Sequence, residues 1–214
     1  MAVPFDAIRA IHNGFRKDMA AMDAAANACA GGGGDFEIVT KRYVFFNEVL
    51  VWHARGEEDA VFPALEEVAP LVSEAYERDH RGLDSAFESL RKAVEASDLL
   101  AAARAAAAMN FHLRIHLDKE DAHLYRIFNQ RISLSNQWAV MGKMSQRVPP
   151  ERFPDLAGWL FPLLENDDRD NMTRIWMQAL PPPVFAGLAK VIKGAVGDGW
   201  AELTRRIPEL NKLP

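Results

Sequence analysis

Two ten-residue stretches, HARGEEDAVF at 53–62 and HLDKEDAHLY at 116–125, align as H-x-x-x-E-[ED]-x-x-[VL]-[FY]. In an α-helix, residues four apart lie about 40° round the axis and about 6 Å along it. Each stretch therefore presents an imidazole and a carboxylate side by side, His53 with Glu57 and His116 with Glu120, as a two-donor claw. Two further histidines, His12 and His80, precede the claws in turn and give the order H, HxxxE, H, HxxxE along the chain.

Taken singly, each feature has an ordinary explanation. A His–Glu pair four apart contributes a few tenths of a kcal/mol to a helix, and an isolated histidine is most often a capped or partly exposed side chain. The combination changes the balance. Two carboxylates and four imidazoles buried together without a cation would cost several kcal/mol in desolvation and mutual repulsion. Imidazole plus carboxylate with no thiolate suits iron or manganese, and zinc less specifically. Two bridging carboxylates favour two ions about 3.5–4 Å apart. The residue set predicts a non-haem di-iron centre held by His12, His53, Glu57, His80, His116 and Glu120.

Such a centre needs helices to position it, and helical periodicity dominates the chain, with no convincing alternation of strand type. The fold class is all-α. The first helix is predicted from about Pro4 to the GGGG at 31–34, and the second from the N-cap Asp35 through Glu67 with a kink at Pro63. Pro70 is expected to open the third, which carries Tyr76, His80, Leu83, Phe87 and Leu90 on one face. Ser97 is expected to cap the fourth, which runs to about Ile132. Residues equidistant from a turn share one height in antiparallel neighbours. His12 lies 21 residues before Gly33 and His53 lies 20 after it, while His80 and His116 lie 17 before and 19 after Ser97. In an up-down-up-down four-helix bundle over 1–132, the six residues would converge near mid-height.

From 133 to 214 the texture changes to short helices punctuated by proline, without histidine, read as a C-terminal helical extension. Within it PPERFPDLAGWL (149–160) and PPPVFAGLAKVI (181–192) share a weak frame, explained by two amphipathic helices each started by proline. Their expected role is packing, or contact with a protein partner.

A chain of 214 residues with 49% hydrophobic content buries a substantial core, and a formal charge of −5 without a basic run argues against nucleic acid or an anionic membrane as partner. The single cysteine, Cys29, and an N-terminus lacking the pattern of a secretory signal predict a cytoplasmic location. No membrane segment is expected, since the most apolar stretch is short, alanine-rich and interrupted by Arg104.

On the H, HxxxE, H, HxxxE pattern, residues 1 to about 132 resemble the hemerythrin-like (HHE cation-binding) family. The resemblance implies an up-and-down bundle around an oxo- or hydroxo-bridged di-iron centre, with His12, His53, Glu57, His80, His116 and Glu120 as ligands and the two glutamates bridging. Oxygen-carrying members use a fifth histidine four residues from the one on the third helix. Here those positions are Tyr76 and Asp84. The chain is similar instead to a bacterial branch linked to sensing or scavenging of oxygen, nitric oxide or peroxide, and to iron homeostasis. Tyr76, His112 or water is left to fill the remaining coordination position.

A rival arrangement is present in ERDH (77–80) and EDAH (120–123), both ExxH, the spacing of ferritin-like di-iron carboxylate proteins. That reading makes His123 a ligand and needs an inward glutamate on the first helix, which has none. The residues and the resemblance together imply two functions. The iron pair reacts with peroxide, oxygen or nitric oxide, with peroxide disproportionation as the enzymatic form. Alternatively, the bundle is a redox- or iron-sensing module that signals through its C-terminal helices.

Overall fold

The computed structural model describes residues 3–213, and no strand occurs among them. The order is α1 (Pro4–Ala30), α2 (Phe36–Gly56), α3 (Phe62–Glu66), α4 (Val72–Glu95), α5 (Leu99–Lys119), α6 (Tyr125–Arg131), α7 (Leu134–Ser145), α8 (Phe153–Leu163), α9 (Asn166–Ala179), α10 (Pro182–Val196) and α11 (Gly199–Arg206). Two widened, π-helical turns, Glu57–Val61 and Glu120–Leu124, join α2 to α3 and α5 to α6 without a break. No described helix is long and apolar enough to cross a membrane.

The chain falls into two compact units. One is Phe15–Arg147; the other combines the residues up to Gly14 with those from Val148 onward. In the first, α1 from Phe15, α2 with α3, α4, and α5 with α6 make the predicted all-α, up-and-down bundle. Its core is Phe15, Met19 and Met22 from α1, Phe46 from α2, Leu90 from α4 and Met109 from α5, each fully buried. The alanines of α5 that face inward, Ala102, Ala103 and Ala106, let α4 pack closely along its length.

The connections show why the helices end where they do. Gly32 and Gly34 adopt positive φ between α1 and α2, a conformation open to glycine at little cost. Asp35 caps α2 as expected, accepting from the Glu37 N–H at 2.9 Å. Two expectations are corrected. Pro70 does not open the third helix; α4 starts at Val72, after Glu66 has accepted from the Leu71 N–H at 2.9 Å and the Ser73 hydroxyl at 2.7 Å. Ser97 does not cap the fourth: it is left-handed, with φ 52°, and Asp98 accepts from the Ala101 N–H at 3.0 Å. Pro63, where a kink is expected, directly follows one widened turn, and the matching turn at Glu120 has no proline near it, so proline is not the common cause of the two.

α7 belongs to the same unit, where Gly56 meets Met144 so closely that a Cβ at Gly56 would lie 2.5 Å from the methionine Cγ. In the other unit, the two PP-containing segments become α8 and α10, which pack against each other. Trp176 of α9 lies 5.1 Å from Phe153 and 5.4 Å from Phe161, ring centre to ring centre. The first turns of α1 join this core through Ile8 and Ala10, both fully buried, and Asn13 donates to Asp168 at 2.8 Å.

Candidate metal centre

Each widened turn begins on a claw glutamate. The Phe62 N–H bonds to the Glu57 carbonyl and the Tyr125 N–H to the Glu120 carbonyl, five residues apart in both cases. Winding one extra residue into a turn shifts the face presented by everything after it. The histidine and glutamate of each claw precede that shift and keep ordinary α spacing. His53 Nε2 lies 3.3 Å from Glu57 Oε1, and His116 Nε2 lies 3.2 Å from Glu120 Oε1.

His80, from α4, stands between the claws, its Nε2 at 3.5 Å from Glu57 Oε2 and 3.8 Å from Glu120 Oε1. One donor atom from each of Glu57, His80, His116 and Glu120 falls within 4.8 Å of the others, and those of His53, Glu57 and Glu120 do likewise. All five residues are buried, the two glutamates completely. His12 is also completely buried, on α1, in the stretch before Gly14 that groups with the other unit.

Glu57 Oε2 and His80 Nε2 are buried with no hydrogen-bond partner among the described residues. Buried polar atoms are seldom left so, because each costs its full desolvation. Convergent nitrogen and oxygen lone pairs of this kind are what a cation of the iron, manganese or zinc type binds. The residues fit a metal.

The surrounding groups orient these donors. His80 Nδ1 is 2.9 Å from Glu58 Oε1, which turns Nε2 toward the glutamates. His116 Nδ1 is 3.8 Å from Asp79, itself paired with Lys119. The Tyr125 hydroxyl donates to Glu57 Oε1 at 2.5 Å, and Arg16 holds Asp118 at 2.8 Å and Asp121 at 2.7 Å. Sequence reasoning did not find Glu58, Asp79 or Tyr125 as orienting groups. The [ED] and [FY] positions of the repeat carried a signal for two of them, since Glu58 and Tyr125 occupy those places.

Charge pairing overrides burial at His53, Glu57, His80 and Glu120. Burial works to lower His80, yet its contacts with Glu120, Glu57 and Glu58 raise it to about 11. His53 is likewise raised, burial being outweighed by Glu57. Burial would raise Glu57, but His53 and His80 hold it well below the usual carboxylate range, and Glu120 is lowered against both burial and the charge of Glu57 by His116 and His80. Burial and the neighbouring Glu57 and Glu120 charges push the Tyr125 hydroxyl well up.

The other candidates lie elsewhere. The Tyr76 hydroxyl donates to the Lys119 carbonyl at 3.1 Å, and His112 is exposed. The ferritin-like arrangement is not assembled, because Glu77 and His123 are both exposed. The widened turn supplies the reason for His123: in an uninterrupted helix it would follow Glu120 inward, whereas here Leu124 and Tyr125 take the buried face.

Residues 3–128 match the model of the hemerythrin HHE cation binding domain. Among curated proteins, Zinc finger protein BRUTUS of Arabidopsis thaliana is 21% identical over 153 residues, covering 69% of this chain and 12% of that protein. A BRUTUS-like zinc finger protein of the same plant is 22% identical over 212 residues, covering 85% of this chain and 17% of its own length. The chain thus spans less than a fifth of either relative. The search of solved structures gave no match.

Proposed function

Since the chain belongs to the hemerythrin HHE cation-binding family, we propose that its cation is a pair of iron ions that react with small oxidants: oxygen, nitric oxide or peroxide. The observation that carries this reading is the pair of fully buried glutamates, Glu57 and Glu120, with His80 Nε2 within 3.8 Å of both. Two carboxylates flanked by histidines neutralise two close cations better than one. His53, Glu57, His80, His116 and Glu120 would hold the ions, with His12 proposed as a further terminal donor from its place in the sequence motif. When bound, an iron pair supplies reversible electron transfer and positions at which a small oxidant binds.

The chain's own residues prepare that chemistry. Glu58 keeps the proton of His80 on Nδ1, leaving Nε2 as a donor to metal. Tyr125 fixes one oxygen of Glu57 and leaves Oε2 turned toward His80. Phe15 and Phe62 pack edge-on or tilted against His53 and His80, each with ring centres 5.3 Å apart, and limit water at the donors.

Metal analysis of the chain purified from iron-replete cells tests the reading. The expected result is close to two iron atoms per chain, with charge-transfer absorption in the near ultraviolet and consumption of added peroxide. Stoichiometric zinc without a chromophore would overturn it.

A further inference from the structure

A cleft of about 280 Å³ opens between α2 and α4 and reaches the donor histidines. Its buried end is formed by His53, His80 and His116, its walls include Leu50, Leu83 and Phe87, and Asp84, Glu88 and Arg91 line its more exposed end. Oxygen, nitric oxide and hydrogen peroxide are each of about the bulk of a water molecule, whose share of liquid volume is about 30 Å³. The cleft is several times larger than any of them needs. Its size approaches that of pockets that enclose organic ligands, and the hydrocarbon walls suit an apolar body.

The outer end selects by charge. Arg91 is engaged on both sides, bonding Glu88 through Nε at 2.7 Å and Nη2 at 2.6 Å, and Glu95 at 2.5 Å. With Asp84 beside it, the entrance carries more negative than positive charge, and a carboxylate-bearing molecule would meet repulsion there. A neutral molecule would not.

We propose that this cleft binds an uncharged organic hydroperoxide, its hydrocarbon body against Leu50, Leu83 and Phe87 and its oxygen end toward His53, His80 and His116. The choice of a hydroperoxide rests on the iron–oxidant reading above; the shape and charge of the cleft do not.

Equilibrium binding separates the two. The probe is 2-phenyl-2-propanol, the unreactive alcohol corresponding to cumene hydroperoxide, titrated into the purified chain by calorimetry, with metal content measured on the same sample. Saturable binding is expected, at least tenfold tighter than that of its para-carboxylate analogue. Leu50→Trp should weaken it at least tenfold while iron content stays unchanged, and Asn47→Trp, at the outer end of the same wall, provides the same check should the first variant misfold. The ferrous protein should also be oxidised faster by cumene hydroperoxide than its Leu50→Trp variant is, with no such difference for hydrogen peroxide. No saturable binding, equal binding of the carboxylate, or indifference to both tryptophans would overturn the proposal. A chain that binds the alcohol but holds no iron would overturn the iron reading and, with it, the hydroperoxide, leaving only the cleft.

Discussion

Tyr125 and Glu57, 68 residues apart in sequence, are joined by a 2.5 Å hydrogen bond inside the bundle, the phenol donating to Oε1. The position equivalent to Tyr125 in the first half of the repeat is Phe62, so the two claws are not equivalent. Removing the hydroxyl with Tyr125→Phe leaves the ring's packing intact. Metal affinity should fall about tenfold or more, the usual consequence of losing a group that orients a ligand. Chelator competition measures it, with circular dichroism to check helicity.

Glu57→Gln or Glu120→Gln should remove nearly all metal, because each takes a charge from between the histidines. His123→Ala should leave metal content unchanged, since His123 is exposed. Metal content across the three variants is the measurement, and loss of metal in His123→Ala would return the ExxH arrangement to contention.

Gly56→Ala should destabilise the chain by about 1–3 kcal/mol, the usual cost of overpacking. The new methyl would lie 2.5 Å from Met144 Cγ and 3.3 Å from the Met144 carbonyl oxygen. Because Gly56 directly precedes Glu57, the shift should weaken metal binding as well. Denaturant unfolding of Gly56→Ala, and of the same change with Met144→Ala, tests the contact: the double variant should recover part of the loss.

The metal-free chain should show a characteristic pH dependence. His80 is raised to about 11 from 6.5, so its pairing stabilises the fold fully below about pH 6.5 and is lost progressively as pH climbs toward 11. Glu57 is lowered from 4.5, so its contribution is present above about pH 4.5 and is lost as pH falls further. Thermal midpoints of the metal-free chain should therefore decline on both sides of a mildly acidic maximum, and His80→Gln should flatten the alkaline side. Metal loading at neutral pH should release protons, readable from calorimetry in buffers of different ionisation enthalpy.

Much of the centre was legible because its claws are local: i,i+4 spacing brings His53 to Glu57 and His116 to Glu120 whatever the rest of the bundle does. Helix ends marked by strong punctuation were legible too, as at the glycines after Ala30 and at Asp35. Ser97 misled because Asp98, the next residue, can cap a helix as well, and the left-handed backbone at Ser97 leaves the cap to Asp98. Glu58, Asp79 and Tyr125 act across helices on His80, His116 and Glu57, and no local spacing announces such a contact. The rival ExxH spacing at His123 fails for a different reason. A three-residue spacing implies a shared face only where the helix is regular, and here it is not.

Ending the chain after Arg147 should be costly in a way that a simple C-terminal deletion would not be. Ile8 and Ala10 are fully buried within the unit that contains the deleted residues, and a Cβ at Gly14 would lie 2.7 Å from Leu160 Cδ1. The truncated chain should aggregate or melt at lower temperature, as followed by light scattering and calorimetry. An unchanged melting temperature with a monomeric product would show that these turns of α1 need no cover.

The twin widened turns also set how this chain tolerates mutation. Each turn holds one residue more than a plain α-helix would use, and the inward phase of Phe62, Leu65, Tyr125 and Phe128 depends on that residue being absorbed there. A turn shorter by that residue would keep the phase. Deleting one residue within 58–61 or 121–124 would let the helix close as a plain α-helix with the same side chains facing inward, whereas regularising the turn at its present length would rotate all that follows by about 100° and exchange the buried and exposed sides beyond the site.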